Sequence, residues 1–277
     1  MREFLSALRN GFGFLTTIPV GITMEGIEKL MKHIYLFPVI GAVLGLILGA
    51  IGIVSSVVFH PILTSLIVIV SIYYLTGINH IDGLADFGDG IASHGTREEK
   101  IKAMRDTAVG TGGLIVCIIA ILGIFASLFS ILEINVLLLH EVRSPVGYLL
   151  RLFSIQETNV LLLPYALIVA ETSAKQAMVT VAAFGRKLHE GFGAMTVENI
   201  KISDFIIGMV FTGAVSYFFL GFFGVEAFIA SQLAGLLVLH IANRHFGGVS
   251  GDVVGASNEF GRLGALLYIG GLAWMQL

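Results

Sequence analysis

Three aspartates fall within eight residues, in the run His80-Ile81-Asp82-Gly83-Leu84-Ala85-Asp86-Phe87-Gly88-Asp89-Gly90. The spacing i, i+4, i+7 puts them on one face of a helix with 3.6 residues per turn. Like charges four residues apart destabilise a helix, so something must offset their repulsion. Hard divalent cations prefer carboxylate oxygen, and Mg²⁺ typically takes one or two carboxylates and completes its shell with phosphate oxygens and water. The pattern points to a metal–phosphate site in which Asp82, Asp86 and Asp89 hold Mg²⁺, with Mn²⁺ as the alternative. The plain reading is a solvated, acidic helix end. Apolar residues on both sides speak against it, as do Gly83, Gly88 and Gly90, which let backbone or ligand come close.

Other polar stretches carry weaker signals. Met104-Arg105-Asp106-Thr107-Ala108-Val109-Gly110-Thr111-Gly112-Gly113 joins a cation, an acid, hydroxyls and glycines ahead of an apolar run. Backbone amides at a helix start suit a phosphate, though a membrane-entry loop would read the same. Gly247-Gly248-Val249-Ser250-Gly251-Asp252 continues through Glu259 and is either a glycine cap with a turn or an acidic substrate-facing loop. Arg186 and Lys187 are either topology determinants or ligands for a nucleotide or phosphate. His80 points off the aspartate face, yet could orient a substrate hydroxyl. Glu171 and Lys175 stand i, i+4 inside an apolar run, as a buried ion pair or a functional one. His60, His140 and His240 read as interfacial or packing residues.

Positioning these residues requires apolar elements. Of 277 residues, 56% are hydrophobic and only 13% charged, and mean hydropathy is +0.92. Ordinary globular domains carry about 25% charged residues. That balance excludes a soluble enzyme, a disordered chain and a nucleic-acid binder. It predicts an all-α, polytopic integral membrane bundle in a single domain, 1–277, with the bilayer as its partner. A helix needs about 20 apolar residues to cross. Seven spans are predicted, at 34–58, 61–79, 113–132, 160–184, 202–224, 227–243 and 261–277, with very short connections at His60-Pro61 and near Gly224. Residues 1–33 form an interfacial N-terminal helix and connector. Residues 134–159 form an interfacial segment or an eighth, imperfect element. Lysine and arginine bias places the N-terminus in the cytoplasm. Thirteen of the 16 cations, Arg262 among them, then fall inside; Arg143 and Arg151 fall outside, and Lys175 within a span. The long polar segments 80–112, 185–201 and 244–260 share the inner face. Net charge is −3, so no broad basic surface exists. Cys117, the single cysteine, forms no intrachain disulfide.

The aspartate run resembles the HxDGLADxxDG signature of the cobalamin synthase family, the cobalamin-5′-phosphate synthases or adenosylcobinamide-GDP ribazoletransferases. Phe12-Gly-Phe-Leu-Thr-Thr-Ile-Pro19-Val and Phe37-Pro38-Val-Ile-Gly41-Ala-Val-Leu-Gly45 are similar to that family's N-terminal and first-span motifs. Met104-Arg105-Asp106 with Gly110 and Gly113 matches its loop. Gly247 to Ala256 matches its GGxTGDxxGA, with Ser250 for threonine. Likeness is weakest over 133–160. The resemblance implies transfer of the adenosylcobinamide phosphate moiety of adenosylcobinamide-GDP to α-ribazole or its 5′-phosphate. GMP leaves, completing the nucleotide loop of coenzyme B12 at the inner face of the cell membrane. An oligomer is compatible with it.

Such chemistry sets roles. The ion would sit on the diphosphate, and a carboxylate would take the proton of the ribazole hydroxyl. Asp89 is the first choice of base and Asp106 the second. Arg105 would pair with phosphate, and His80, Gly110, Arg186, Lys187, Ser250, Asp252 and Glu259 would hold substrate, with completion of the metal shell as the alternative role of Asp252. The competing readings are a CDP-alcohol phosphatidyltransferase and, less well supported, a polytopic transporter. The former needs a DxxDGxxAR–GxxxDxxxD continuation that is absent here. A UbiA-type prenyltransferase needs NDxxDxxxD, but Asn79 is followed by His80. A transporter would favour mid-membrane charges and internal repeats; Glu171 and Lys175 are the one feature in its favour.

Overall fold

The structure, a computed structural model, describes residues 2–138 and 161–272, with 135–138 as helix backbone. The expected segment 134–159, with His140, Arg143 and Arg151, and the end of the last span at 273–277 lie essentially outside the described residues. Every regular element described is helical. These are α1 (Arg2–Leu15), α2 (Met24–Met31), α3 (Leu36–Val58), α4 (Pro61–Thr76), α5 (Asn79–Ala92), α6 (Arg97–Met104) and α7 (Thr111–Leu138), followed by α8 (Leu162–Phe184), α9 (Phe192–Asn199), α10 (Ile202–His245) and α11 (Gly251–Leu272).

Three of them, α3, α7 over 111–134 and α10, are long and apolar enough to cross a membrane, or four if α4 and α5 count as one broken span. Length and composition alone thus support three or four of the seven expected spans among the described residues. Two of the others are polar at the centre: α8 carries Glu171 and Lys175, and α11 carries Glu259 and Arg262. The expected spans 202–224 and 227–243 form one 44-residue element, broken at Gly221 with φ 60° and ψ −145°. In a straight helix residues eight apart stand about 12 Å from each other. Here a side chain on Gly224 would collide with the Ser216 carbonyl, so the chain doubles back at that point.

The bundle is built around α8, whose residues are buried from Ala166 through Ala182. It is held by α3, α10 and α11. Glycines at 41, 45, 49 and 52 line one stripe of α3. A Cβ at Gly45 would run into the Ile168 backbone, and one at Gly49 would lie 3.0 Å from Pro164 Cα. Lipid-facing helices gain little from hydrophobic contact with one another, so small residues that admit backbone-to-backbone packing supply the association instead. Outward faces stay apolar: Phe218 and Phe222 are 81% and 76% exposed.

At the N-terminus α1 and α2 fold over the bundle. Arg9 Nε donates to the Val20 carbonyl at 2.6 Å. The Thr23 amide donates to Asn10 Oδ1 at 3.0 Å, while the Thr23 hydroxyl caps α2 through the Gly26 amide. Ala7, Gly11 and Leu15 turn inward on α1 while Arg2 and Arg9 turn outward, which gives this helix amphipathic character.

Candidate functional site

The site begins at a bend. Gly77, at φ 68°, ends α4, and α5 leaves at 94° to it. A bend of this kind strips carbonyls of their helical donors. Thr17 supplies replacements: its amide donates to Leu75 O at 2.8 Å and its hydroxyl to Tyr74 O at 2.8 Å. The N-terminal segment thus fixes the angle at which α5 is presented.

Glycines then bring α5 against two helix starts. At Gly83 a Cβ would lie 3.0 Å from both Cα and carbonyl O of Asp252, so α5 touches the first turn of α11 backbone to backbone. At Gly88 it would meet the Gly112 carbonyl and Gly113 Cα, each at 3.0 Å, at the start of α7. The first contact brings Asp252, 169 positions later, alongside the aspartate face of α5; the carboxylates of Asp252, Asp82 and Asp89 all act on that of Asp86. Asp82 is exposed, Asp86 and Asp252 half-buried. Burial pushes the Asp252 carboxyl above its ordinary value; the Ser250 hydroxyl, donating to Asp252 Oδ2 at 3.1 Å, and nearby His189 pull the other way, and Asp82 adds to the push.

Asp89 stands apart from that group in its bonding. Its Oδ2 accepts from the Gly110 amide at 2.6 Å and its Oδ1 from the Gly113 amide at 2.8 Å. Both oxygens are therefore occupied at the N-terminus of α7, where free amides and the helix dipole favour a carboxylate. Gly110, expected on substrate, gives its amide to this contact. Asp82 and Asp86 accept no hydrogen bond among the described residues.

Among the described residues no three of His, Cys, Asp and Glu converge closely enough to enclose a metal ion. The oxygens of Asp82, Asp86 and Asp252 are hard donors, and no lysine or arginine among the described residues pairs with them. Mg²⁺ is usually held through one or two carboxylates plus substrate oxygens rather than in a cage of protein donors, and the donor set matches that habit.

A cavity of about 560 Å³ opens beside the acids. Asp82, His80 and Asp252 line it together with Phe14, Phe37 and Phe192. His80 is 8% exposed, and its Nδ1 finds no partner among the described residues. The cavity is thus an apolar chamber with a few convergent polar groups, the usual form of a small-molecule site.

The remaining candidates divide. Arg105 and Asp106 lie on the exposed turn after α6 and line a separate surface pocket with Glu98 and Lys102. The Asp106 carboxylate accepts from the Ala108 amide at 3.1 Å. Lys187 is tied to Glu190 at 2.5 Å and Glu198 at 2.7 Å. Ser250 is fully buried and its hydroxyl goes to Asp252. Glu259 is fully buried: both its oxygens accept from Arg262 Nη1 at 2.6 Å, and Tyr73 and Asn258 donate to it as well. Glu171 pairs with Arg262 at 2.5 Å, and Lys175 donates to Asn258 Oδ1 at 2.6 Å. Arg262 therefore leaves the count of inner-face cations. The expected i, i+4 partnership of Glu171 and Lys175 gives way to cross-helix bonds between α8 and α11.

Sequence reasoning passed over His189. Its Nδ1 lies 2.9 Å from the Glu190 carbonyl, which can only accept, so Nδ1 carries the proton. Nε2 is left buried and without a partner among the described residues, with Asp252 nearby. A lone histidine in a polar loop gave no signal by itself; the pairing of Val249 with 186–188 brings it there.

Comparison with known proteins matches residues 7–270 to the family model described as cobalamin-5-phosphate synthase. The chain is 39% identical to the adenosylcobinamide-GDP ribazoletransferase of Methanosarcina barkeri, with all of both chains covered. It is 36% identical to that of Methanococcoides burtonii over all of both chains. Identity is 30% to that of Thermococcus kodakarensis, with 98% of this chain and all of the relative covered. No solved structure matches.

Proposed function

The chain belongs to the cobalamin-5-phosphate synthase family, and from that membership we propose that it joins adenosylcobinamide-GDP to α-ribazole or α-ribazole 5′-phosphate. A ribazole hydroxyl attacks the cobinamide-side phosphorus. The new O–P bond forms as the bond to the bridging oxygen breaks, and GMP leaves with that electron pair. The observation that carries the site is the contact at Gly83, which sets Asp252 against Asp82 and Asp86 at the edge of the 560 Å³ cavity.

Asp82 and Asp252, which line the cavity, would hold Mg²⁺ or Mn²⁺ together with diphosphate oxygens. When bound, the ion neutralises charge on the diphosphate and on departing GMP. Asp86, with no hydrogen bond among the described residues, takes the hydroxyl proton. Asp89, the expected base, spends both oxygens on the start of α7 and positions that helix instead. His80 lines the same chamber and orients the attacking hydroxyl. Glu259 acts at a distance, fixing α11 through Arg262.

The bilayer arrangement is part of the same reading. We take α8 and α11 to cross as well, shielded by the apolar helices around them, with the N-terminus and the aspartates on the cytoplasmic face. The test is direct. Purified protein in detergent, given adenosylcobinamide-GDP, α-ribazole and Mg²⁺, is expected to release GMP and form a cobalamin. Absence of GMP release in protein shown to be folded overturns the reading.

A further inference from the structure

A second cavity, of about 440 Å³, lies between the start of α6 and the ends of α8 and α10. Arg97, Phe184, Arg186, Asn243 and Gly247 line it. Two guanidinium groups thus face one space, with no acid in its lining. Neither has an ion-pair or hydrogen-bond partner among the described residues. Neighbouring Lys187 differs, being satisfied by two glutamates. Unpaired like charges repel, and a bound anion is the simplest offset.

The walls are fixed by backbone. The Val249 amide donates to the Arg186 carbonyl at 2.7 Å, and the Leu188 amide to the Val249 carbonyl at 3.0 Å, which holds Arg186 in place. Gly247, at φ 84°, is open to few residues besides glycine, and a Cβ there would come 3.0 Å from Arg97 Nη1. The bare backbone at this point is what lets the guanidinium lie against it. Asn243 adds an amide, and Phe184, 52% exposed, adds an apolar ring. Planar forks of N–H donors match a phosphate monoester, with an amide and a ring nearby for the rest of a nucleotide. The volume is within the range of ligand sites. Asp252 follows Gly247 by five residues on the same segment.

We propose that the pocket formed by Arg97, Arg186 and Asn243 is a subsite for the phosphate of a nucleoside 5′-monophosphate unit. It rests on the proposed transfer and adds to it a place for one phosphate-bearing end. Two sources share that chemistry, the guanosine nucleotide and α-ribazole 5′-phosphate, and separate arms distinguish them.

Equilibrium dialysis of the full chain in detergent would use labelled GMP, α-ribazole 5′-phosphate and α-ribazole. The variants are Arg97→Ala, Arg186→Ala and Asn243→Asp, with the exposed Arg244→Ala as a control for charge alone. All four changes are at exposed side chains, and retained thermal unfolding behaviour checks the fold. One of the two monophosphates is expected to bind about tenfold or more weakly to each of the three pocket variants. Binding of α-ribazole, and binding by Arg244→Ala, should be unchanged. The monophosphate that weakens identifies the source. Wild-type affinity in the pocket variants overturns the proposal, as does an equal loss in Arg244→Ala or a wild-type chain that binds neither monophosphate. Arginine-dependent binding without GMP release in the transfer assay keeps the subsite and removes the transfer reading.

Discussion

At the scale of single residues, the acids near the cavity differ in what already holds them. Asp89 serves two amides, Asp252 one hydroxyl, and Asp82 and Asp86 accept no hydrogen bond among the described residues. Removing Asp82 by Asp82→Ala is therefore expected to abolish turnover with folding intact, and raising Mg²⁺ or Mn²⁺ should not restore it. Asp86→Asn should still bind both substrates while turnover falls by about 10²–10⁴-fold, the usual contribution of a general base. Near-wild-type GMP release from either variant removes these roles. A pH dependence follows from Asp252. Its carboxyl is raised by burial, so protons compete with the ion at a higher pH than for an exposed aspartate. The Mg²⁺ concentration for half-maximal turnover should rise as pH falls through that raised value. In Ser250→Ala the charged form loses a donor, its pKa rises further, and the same rise should begin at higher pH. Titration of turnover against Mg²⁺ across pH measures both. The spacing of Asp82, Asp86 and Asp89 was legible in the chain because helix periodicity is local. Which of the three remained free was not, since the amides of Gly110 and Gly113 reach Asp89 only through the packing of α5 on α7.

Elements carry two further expectations. Gly83 is the point at which α5 meets the first turn of α11, and the atoms a Cβ would strike there are backbone and cannot swing aside. Gly83→Leu should push Asp252 away from Asp82 and Asp86 and lower turnover by on the order of 10²-fold. GMP release beside an unchanged helical circular dichroism spectrum checks it; full activity would show that the two helices need not touch. Between α8 and α11 the buried Arg262 pairs with both Glu171 and Glu259. Arg262→Met leaves two carboxylates unpaired in the interior, at a cost of about 3–5 kcal/mol. Thermal unfolding in detergent should register that loss as a lowered Tm. Helices such as α3 and α7 follow directly from their apolar runs. The break at Gly77 and the reversal at Gly221 were harder to place, because a glycine inside an apolar run becomes a bend only when surrounding helices and stand-in donors such as Thr17 make it so.

For the molecule as a whole, the proposed orientation makes a prediction about sidedness. With the aspartates on the cytoplasmic face, a cysteine placed by His94→Cys in a Cys117→Ser background should resist an impermeant maleimide in intact cells and react once the membrane is opened. Labelling in intact cells would invert the bundle and put the acids on the other side. Composition alone made the membrane character plain, since 13% charged residues cannot cover the surface of a soluble chain of this length. The local motifs likewise carried the family likeness, for they are short stretches whose residue types survive without reference to the fold. Three things were left to the tertiary structure: the joining of Asp252 to the α5 carboxylates, the withdrawal of Glu171, Glu259 and Arg262 into a buried ionic network, and the facing of Arg97 by Arg186. Each brings together residues at least 88 positions apart. Periodicity records only what neighbouring residues share, whereas such meetings depend on which helix surfaces are small enough to let two backbones touch.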